Sequence, residues 1–404
     1  MRTPPWQARQ GQLRPGARWP RADRLCLELG RLSFGPGTIA LGMNEPESVV
    51  LSWRSRQPKA ELPGARLTPG SDRTAPVLLV SGDNARALTA LGESHQGKAS
   101  LVYLDPPFFT GRQHLRVVRG RDHLGRPWRE SSPAFDDRWA SLPEYLDALW
   151  PRLVAARKLL SEDGCLVLHV DPKTSHYAKI LLDEIFGIRS FASEIVWRYR
   201  RWPARTANFQ RVHDVLLRYV KNPDIKPRFQ QLYEPLAAST RATWGDKKQR
   251  AVFDTDGRRR CSSRTQQGSP GAPLGDVWDI GIVAPVARER TGYPTQKPEA
   301  LLERLVLSCT EPGDLVVDGY AGSGTTLAVC ARHQRRAIGI DHSEQALQVI
   351  RERLAQQSVE LVEVTVRDLT PAPPAVAPSQ KSEPRATKPL ARPGRRLARQ
   401  PVSA

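Results

Sequence analysis

The sequence is poor in cysteine, and what it has is scattered. Cys26, Cys165, Cys261, Cys309 and Cys330 never fall within four residues of one another. That spacing excludes a zinc-type cysteine pair and a disulfide framework, and buried thiols acting as small hydrophobes are the expectation. Long apolar runs are also missing. Nothing approaches the ~18–20 residues a membrane helix needs, and the opening MRTPPWQARQ has no signal-peptide block. A cytoplasmic location is therefore expected. Acidic residues are in deficit: 61 Lys and Arg stand against 42 Asp and Glu, a net charge of +19. An excess of this size points toward polyanions. Yet 12 of those charges lie in residues 1–70 and 371–404, so charge alone does not decide for nucleic acid.

The remaining composition is ordinary. At 39% hydrophobic over 404 residues, the chain suffices for one large α/β domain with an insertion, or for two domains. Residues 1–70, rich in Arg, Pro and Gly, read as a poorly structured basic extension with at most a short hairpin. Residues 371–404 are Pro- and Arg-rich without aromatics and read as a disordered tail, because they bury too little to offset chain entropy. Between the ends, short apolar runs alternate with helical patterns, which predicts a mostly parallel twisted sheet with helices on both faces. The runs 193–199 and 213–220 have no helix between them and predict an antiparallel edge. Residues 221–292 break the rhythm and read as an insertion between the halves 71–220 and 293–370.

Two motifs carry chemistry. In LVYLDPPFFTG, residues 101–111, an apolar strand stops at Asp105 and is followed by Pro106, Pro107 and Phe108. Phe109 has no assigned role beyond packing under the loop. In VVDGYAGSGTT, residues 316–326, a strand ends at Asp318, glycines follow, and a helix begins near Thr325. Such a loop brings backbone close to a ligand at a helix N-terminus. It is not a Walker A loop: Gly319 to Thr326 has the spacing, but Thr325 stands where the lysine belongs. Nor is it a dinucleotide fingerprint, since Leu327 occupies the third glycine position. A ligand without pyrophosphate, such as S-adenosylmethionine, is what remains. Asp341, at the tip of the next strand, is placed for ribose hydroxyls.

Together the motifs resemble the DNA amino-methyltransferases of the N4-cytosine/N6-adenine family. Asp105-Pro106-Pro107-Phe108 resembles the family's [DNS]-P-P-[YF] motif, and Asp318–Thr326 its D-x-F-x-G-S-G-T-T cofactor loop, with Gly319 and Tyr320 as variations. GYPTQKPEALLERLV (292–306) and VSGDNARALTAL (80–91) resemble neighbouring family segments, so that the likeness spans residues 76–355. The catalytic motif precedes the cofactor loop with an insertion between them, which is the order of the β class. The resemblance implies a Rossmann-like methyltransferase fold with circularly permuted motif order, and S-adenosylmethionine as cofactor. It assigns Asp341 to the ribose, Asp83 to the adenine amine of the cofactor, and Asp318, Ala321, Gly322 and Gly324 to the methionine end. Tyr320 and Thr325 lie in the same loop, and Thr295 and Lys297 approach from the helix entry. Asp83 also reads as part of a β-turn, SGDN, with Asn84 as the helix cap.

The implied reaction methylates N6 of a flipped-out adenine in double-stranded DNA. Asp105 and the Pro106 carbonyl would accept from the amine, and Phe108 would stack on the base. N4-cytosine is the alternative target; methylation of RNA or a protein amide, or binding without catalysis, are weaker ones. Cytosine C5 chemistry is excluded, because no cysteine follows a proline. For DNA contacts, RYRRWPARTANFQR (198–211) offers Arg198, Arg200, Arg201, Trp202 and Arg205 on a loop. A long loop over 109–140 offers Arg112, Arg116, Arg119, Arg121 and Arg126. DGRRRCSSR (256–264) adds charge within the insertion, the candidate target-recognition region. A cognate restriction endonuclease is a candidate partner, and monomer and homodimer both stay open.

Overall fold

The computed structural model describes residues 50–368 apart from 54–55, 57–63, 69–74, 202–204, 206, 249–250, 254 and 262–267. The expected tail 371–404, and the expected extension up to residue 49, lie outside the described residues.

The chain begins with β1 (Ala65–Leu67), β2 (Val77–Ser81), α1 (Asn84–His95) and β3 (Ala99–Leu104). A hairpin of β4 (Arg112–Arg121) and β5 (Pro127–Asp137) follows. Next come α2 (Leu142–Leu159), β6 (Leu160–Val170), α3 (Pro172–Phe186), β7 (Phe191–Arg198) and β8 (His213–Val220). The insertion holds short pieces: β9 (Tyr233–Glu234), α4 (Ala238–Trp244), β10 (Ala251–Phe253), β11 (Arg259–Cys261), β12 (Ala272–Pro273) and β13 (Val277–Asp279). The last part is α5 (Glu299–Cys309), β14 (Leu315–Asp318), α6 (Thr325–Arg332), β15 (Arg336–Asp341), α7 (Glu344–Gln356) and β16 (Leu361–Asp368).

Ten of these strands form one sheet, in the order β1-β16-β2-β15-β14-β3-β6-β8-β7-β13. From β16 to β6 every neighbouring pair is parallel. Strands such as VLLV and SLVYL are buried on both faces, which is why they read as unbroken apolar runs rather than alternating ones. Helices α1, α2 and α3 pack on one face, while α5, α6 and α7 pack on the other. The expected α/β fold with a mostly parallel sheet and an antiparallel edge is what the chain adopts.

Three details differ from the sequence reading. First, Ala65–Leu67 lies within the supposed irregular extension, yet it pairs antiparallel with β16; three residues are too few to show a period. Second, β8 runs antiparallel to both β6 and β7, as expected, but the sheet continues beyond β7. Val277–Asp279 of the insertion adds a parallel strand there. Third, much of the stretch read as a loop over 109–140 is a ten-pair hairpin. Its faces are polar and mostly exposed, so no alternation marks it. Its turn is closed by Asp122, whose Oδ1 accepts from the backbone N–H of Leu124 (2.9 Å) and Arg126 (2.8 Å).

The sheet order brings chain ends together. β14, late in sequence, lies beside β3, early in sequence. Four adjacent parallel strands, β2, β15, β14 and β3, end at or just before an aspartate: Asp83, Asp341, Asp318 and Asp105. Ligands of open α/β sheets bind at carboxyl ends where the strand order reverses.

Candidate active site

A cavity of about 250 Å³ opens at this edge. Its walls include Asp105 to Phe108, Tyr293 to Lys297, Asp318 to Ser323 and Asp341. Residues separated by two hundred positions therefore share one chamber.

The glycine loop is set by the sheet. Gly319 N–H donates to Tyr103 O of β3 (3.1 Å), and Ala321 N–H to Ile340 O of β15 (2.9 Å). Gly322 N–H donates to Asp341 Oδ2 (2.8 Å), and Tyr320 N–H to Asp318 Oδ1 (3.0 Å). Gly322 and Gly324 have φ of +50° and +70°, which favours glycine. At Gly324 a Cβ would also meet Ile350 at 2.9 Å. Gly324 thus closes the turn and packs on α7 without lining the cavity. Thr325 does line it, and its hydroxyl donates to Lys297 O (3.2 Å).

Lys297 is delivered by the entry to α5. Gln296 braces this segment: its Oε1 accepts from Thr291 N–H (2.8 Å), and its Nε2 donates to Glu289 O (2.5 Å). Glu299 of α5 pairs with buried Arg353 of α7 (2.5 Å) and with Arg332 of α6 (2.7 Å). Lys297 Nζ reaches Asp105 Oδ2 in a close ion pair and sits 5.0 Å from the Phe108 ring centroid. Thr295, at φ +57°, lines the cavity beside it.

Asp105 Oδ1 is buried and has no hydrogen-bond partner among the described residues. Behind it lies His169, fully buried, with Nδ1 3.7 Å from that oxygen. Tyr103 OH sits 2.8 Å from the same Nδ1, and His169 Nε2 is 3.5 Å from Asp214. Tyr199 OH donates to Asp214 Oδ1 (2.9 Å). The sequence reading missed this buried polar row. Its one signal is a histidine inside the apolar strand CLVLHV.

Asp137 was missed as well. This 1% exposed carboxylate accepts from three successive backbone N–H groups, those of Phe108 (3.2 Å), Phe109 (2.9 Å) and Thr110 (2.8 Å). It also accepts from Thr110 OH (2.5 Å) and Trp139 Nε1 (3.1 Å). The chain after Pro107 is therefore wrapped around one side chain at the end of β5. Phe109 now has a place: at φ +57° it turns back onto the core, with its ring 5.9 Å from Tyr145. His114 stacks on Phe135 (4.5 Å, 15°) at the outer wall.

Asp83 does not line the cavity. Its carboxylate caps α1 through Arg86 N–H (3.1 Å) and pairs with Arg152 (2.9 Å). The neighbour Asn84 lines the wall instead, donating to Gly319 O (2.8 Å). The turn-and-cap reading of Asp83 is the one its geometry supports, with Asp83 rather than Asn84 as the cap. Of the proposed DNA contacts, Arg112, Arg200 and Arg205 are exposed. Arg198 is exposed but paired with Asp279, and exposed Arg201 stacks on Tyr199 at 5.1 Å. Trp202 lies outside the described residues.

The electrostatics of the chamber are lopsided. Asp105, Asp136, Asp137, Asp318 and Asp341 line it, against Lys297, which is already paired, and the imidazoles of His114 and His342. Burial pushes the Asp318 carboxyl up to about 7, and the nearby charges of Asp105 and Asp341 add to the rise. Burial also raises Asp341, against the pull of the Ser343 and Gly322 N–H groups. Such a chamber favours a ligand that brings positive charge and hydroxyls.

A family model described as DNA methylase matches residues 99–352, more than half of the chain. The chain belongs to the N6/N4 DNA methylase family. It is 29% identical to the type II methyltransferase M.EcaI of Enterobacter cloacae, covering 76% of this chain and 75% of that protein. It is 25% identical to M.HpaI of Haemophilus parainfluenzae (67% and 72%). It is 27% identical to YhdJ of Escherichia coli K12, named a DNA adenine methyltransferase (68% and 82%). The methylase uses S-adenosylmethionine, and the residues present fit it. The acidic chamber suits a sulfonium and an ammonium group, and Asp341 suits hydroxyls. No helix among the described residues is long and apolar enough to cross a membrane.

Proposed function

We propose that this DNA methylase acts on the N6 amine of an adenine flipped out of duplex DNA. The observation that carries the reading is Asp105 Oδ1, a buried carboxylate oxygen without a partner, facing the same chamber as the glycine loop. An adenine amine is a poor nucleophile because its lone pair is delocalised into the ring. Asp105 Oδ1 and the Pro106 carbonyl, accepting its two N–H bonds, draw the nitrogen toward tetrahedral geometry and free the lone pair. Lys297 holds Oδ2 and leaves Oδ1 for the substrate. Proline at 106 and 107 stiffens the segment, and Asp137 fixes the backbone beyond it. When bound, S-adenosylmethionine supplies an electrophilic methyl on sulfur. Asp318, Tyr320, Ala321, Gly322 and Thr325, with Asp341 on the ribose and Thr295 at the entry, would hold it. Catalysis is then mostly positioning and electrostatics.

Flipping the base costs a few kcal/mol, and a stack on Phe108 returns about 1–3 kcal/mol. The exposed arginines of 198–211 and of the hairpin would hold phosphates and supply the rest. Residues 221–292 would read the target sequence. Adenine is favoured over cytosine N4 by Asp at 105, and by the likeness to a relative named for adenine. The test is to incubate the protein with DNA and methyl donor, digest the DNA, and identify the modified nucleoside. N6-methyladenine is expected; N4-methylcytosine alone overturns the adenine assignment.

A further inference from the structure

Methylation of an exocyclic amine sets one proton free inside the chamber, and a proton left on Asp105 neutralises the carboxylate that accepted it. His169, 0% exposed, stands directly behind that carboxylate. The strand register places it there. Tyr103 of β3 faces Val167 of β6 and Leu104 faces Leu168, so the next residue of β6 is level with Asp105. The ring is held between Phe108 (5.3 Å) and Trp197 of β7 (5.6 Å, 73°). Its Nδ1 lies 3.7 Å from Asp105 Oδ1, and its Nε2 lies 3.5 Å from Asp214 Oδ2 of β8. Asp105 Oδ1 and His169 Nε2 are both buried without a hydrogen-bond partner among the described residues. Two unpaired polar atoms in one buried row are costly for a purely structural arrangement.

The contacts of the ring show which nitrogen can take a proton. Tyr103 OH, 2.8 Å from Nδ1, is a buried phenol. Burial above all, then the charges of Asp105, Asp318 and Asp214, raise its pKa, so it keeps its hydrogen and directs it to Nδ1. The neutral ring then carries its own hydrogen on Nε2, toward Asp214, and Nδ1 has only a lone pair. We propose that His169 is a positioning residue that takes the amine proton from Asp105 at Nδ1, with Asp214 as counter-ion of the imidazolium that forms. The proposal rests on Asp105 as the acceptor of the amine, and applies to adenine N6 and cytosine N4 alike. The amine nitrogen bonds the methyl carbon with its lone pair, and the electrons of the broken S–C bond stay on sulfur. The N–H proton goes to Asp105 Oδ1 and on to His169 Nδ1. Tyr103, which lines the chamber, turns its hydrogen to that side and accepts from Nδ1. Asp105 is a carboxylate again.

The surroundings suit a transient cation. Asp214 is held below the usual carboxylate range: burial opposes this, and His169, Lys297 and Tyr199 outweigh it. Tyr199 OH donates to Asp214 Oδ1 (2.9 Å), and exposed Arg201 donates to that hydroxyl (3.3 Å), so the row ends at solvent. The opposing charge is the Lys297 ammonium, already ion-paired with Asp105 Oδ2, which has no lone pair to take the proton. The 3.7 and 3.5 Å separations are longer than hydrogen bonds. Catalytic contacts of ligand-free sites commonly have this looseness and tighten around substrate.

The experiment follows single-turnover methylation of duplex DNA by the full-length protein between about pH 5 and 9, with cofactor saturating at every pH. The wild-type rate should fall on the acid side, where the ring already holds the second proton. His169→Gln should slow transfer by about 10²-fold, the lower end for an acid–base group. It should also lose the acidic limb, with cofactor affinity by calorimetry unchanged. Asp214→Asn, lacking the counter-ion, should move the limb to lower pH. A merely structural histidine would lower the rate and leave the limb in place, and that result overturns the proposal. Should His169→Gln fail to fold, nitrogen NMR of the wild type labelled in its histidines reads the ring directly, with His169 assigned by its shift in Asp214→Asn. A neutral ring protonated on Nε2 is expected at about pH 8; a doubly protonated ring, or one protonated on Nδ1, overturns the proposal. Asp105→Asn at the wild-type rate would instead overturn the role of Asp105 on which the relay rests.

Discussion

Two loops close the chamber of this methylase, and they are held in opposite ways. The glycine loop, 318–324, is stitched into the sheet. Its N–H groups donate to Tyr103 and Ile340 on the strands at either side, and to carboxylates on the strand tips. The loop 105–110 leaves the sheet through two prolines, and beyond them its backbone hangs on Asp137, at the open base of a mostly exposed hairpin. The first is over-determined by burial. The second gathers three of its backbone N–H groups on one anchor, which belongs to the hairpin proposed to face DNA. A loop of the second kind can be adjusted by whatever touches the hairpin, whereas a loop of the first kind cannot.

The largest expected effect isolates the catalytic loop. Asp105→Ala should lower methyl transfer by about 10²–10³-fold, the scale of losing one preorganised electrostatic partner, while cofactor binding persists. Calorimetry with the cofactor, beside single-turnover methylation, separates the two. Because Lys297 would lose its partner in a site where its side chain is 10% exposed, Asp105→Asn is the companion variant that keeps the shape. Wild-type turnover in both would remove Asp105 from the mechanism.

The next effect tests the anchor. Asp137→Ala leaves three backbone donors without an acceptor, and each unmade buried hydrogen bond costs about 1–3 kcal/mol. If the loop shifts by about an ångström, the rate falls by up to about 10²-fold. The comparison predicts that kcat falls while cofactor affinity stays, because the glycine loop has its own supports. A parallel loss of cofactor binding would show that the two loops are not independent.

The ease of reading these loops from sequence follows the same division. The glycine loop was legible because its function is written in local residue types: glycines, a strand-tip aspartate, a helix start. DPPF was legible for the same reason. Asp137 was not, because it lies twenty-seven residues beyond Thr110 in a polar hairpin, and its role exists only once the hairpin folds back. Asp83 reads two ways from sequence because one strand-tip aspartate looks like another. Its carboxylate pairs with Arg152, sixty-nine residues away, and caps α1, contacts that no local pattern announces. The parallel core was readable from unbroken apolar runs. Strands β1 and β13 were not, since three residues carry no period and their partners decide them.

The smallest expected effect probes the glycine loop through its own charge. Asp318 is raised by burial to about 7, so in the ligand-free protein it keeps its proton to near-neutral pH. The stability it contributes is complete below about 4 and is lost as pH rises through about 7. Asp341, also raised, acts in the same direction. A cationic ligand favours the ionised carboxyl and reverses the balance, so cofactor affinity should rise with pH. If binding brings Asp318 fully into its ionised form, linkage gives about tenfold tighter binding at pH 8 than at pH 6. Asp318→Asn should flatten that dependence while leaving intact the Asp137 hydrogen bonds that hold loop 105–110. A flat profile in the wild type would mean that the chamber's negative charge is not what receives the cofactor. The distributed support of the glycine loop would then be structural alone.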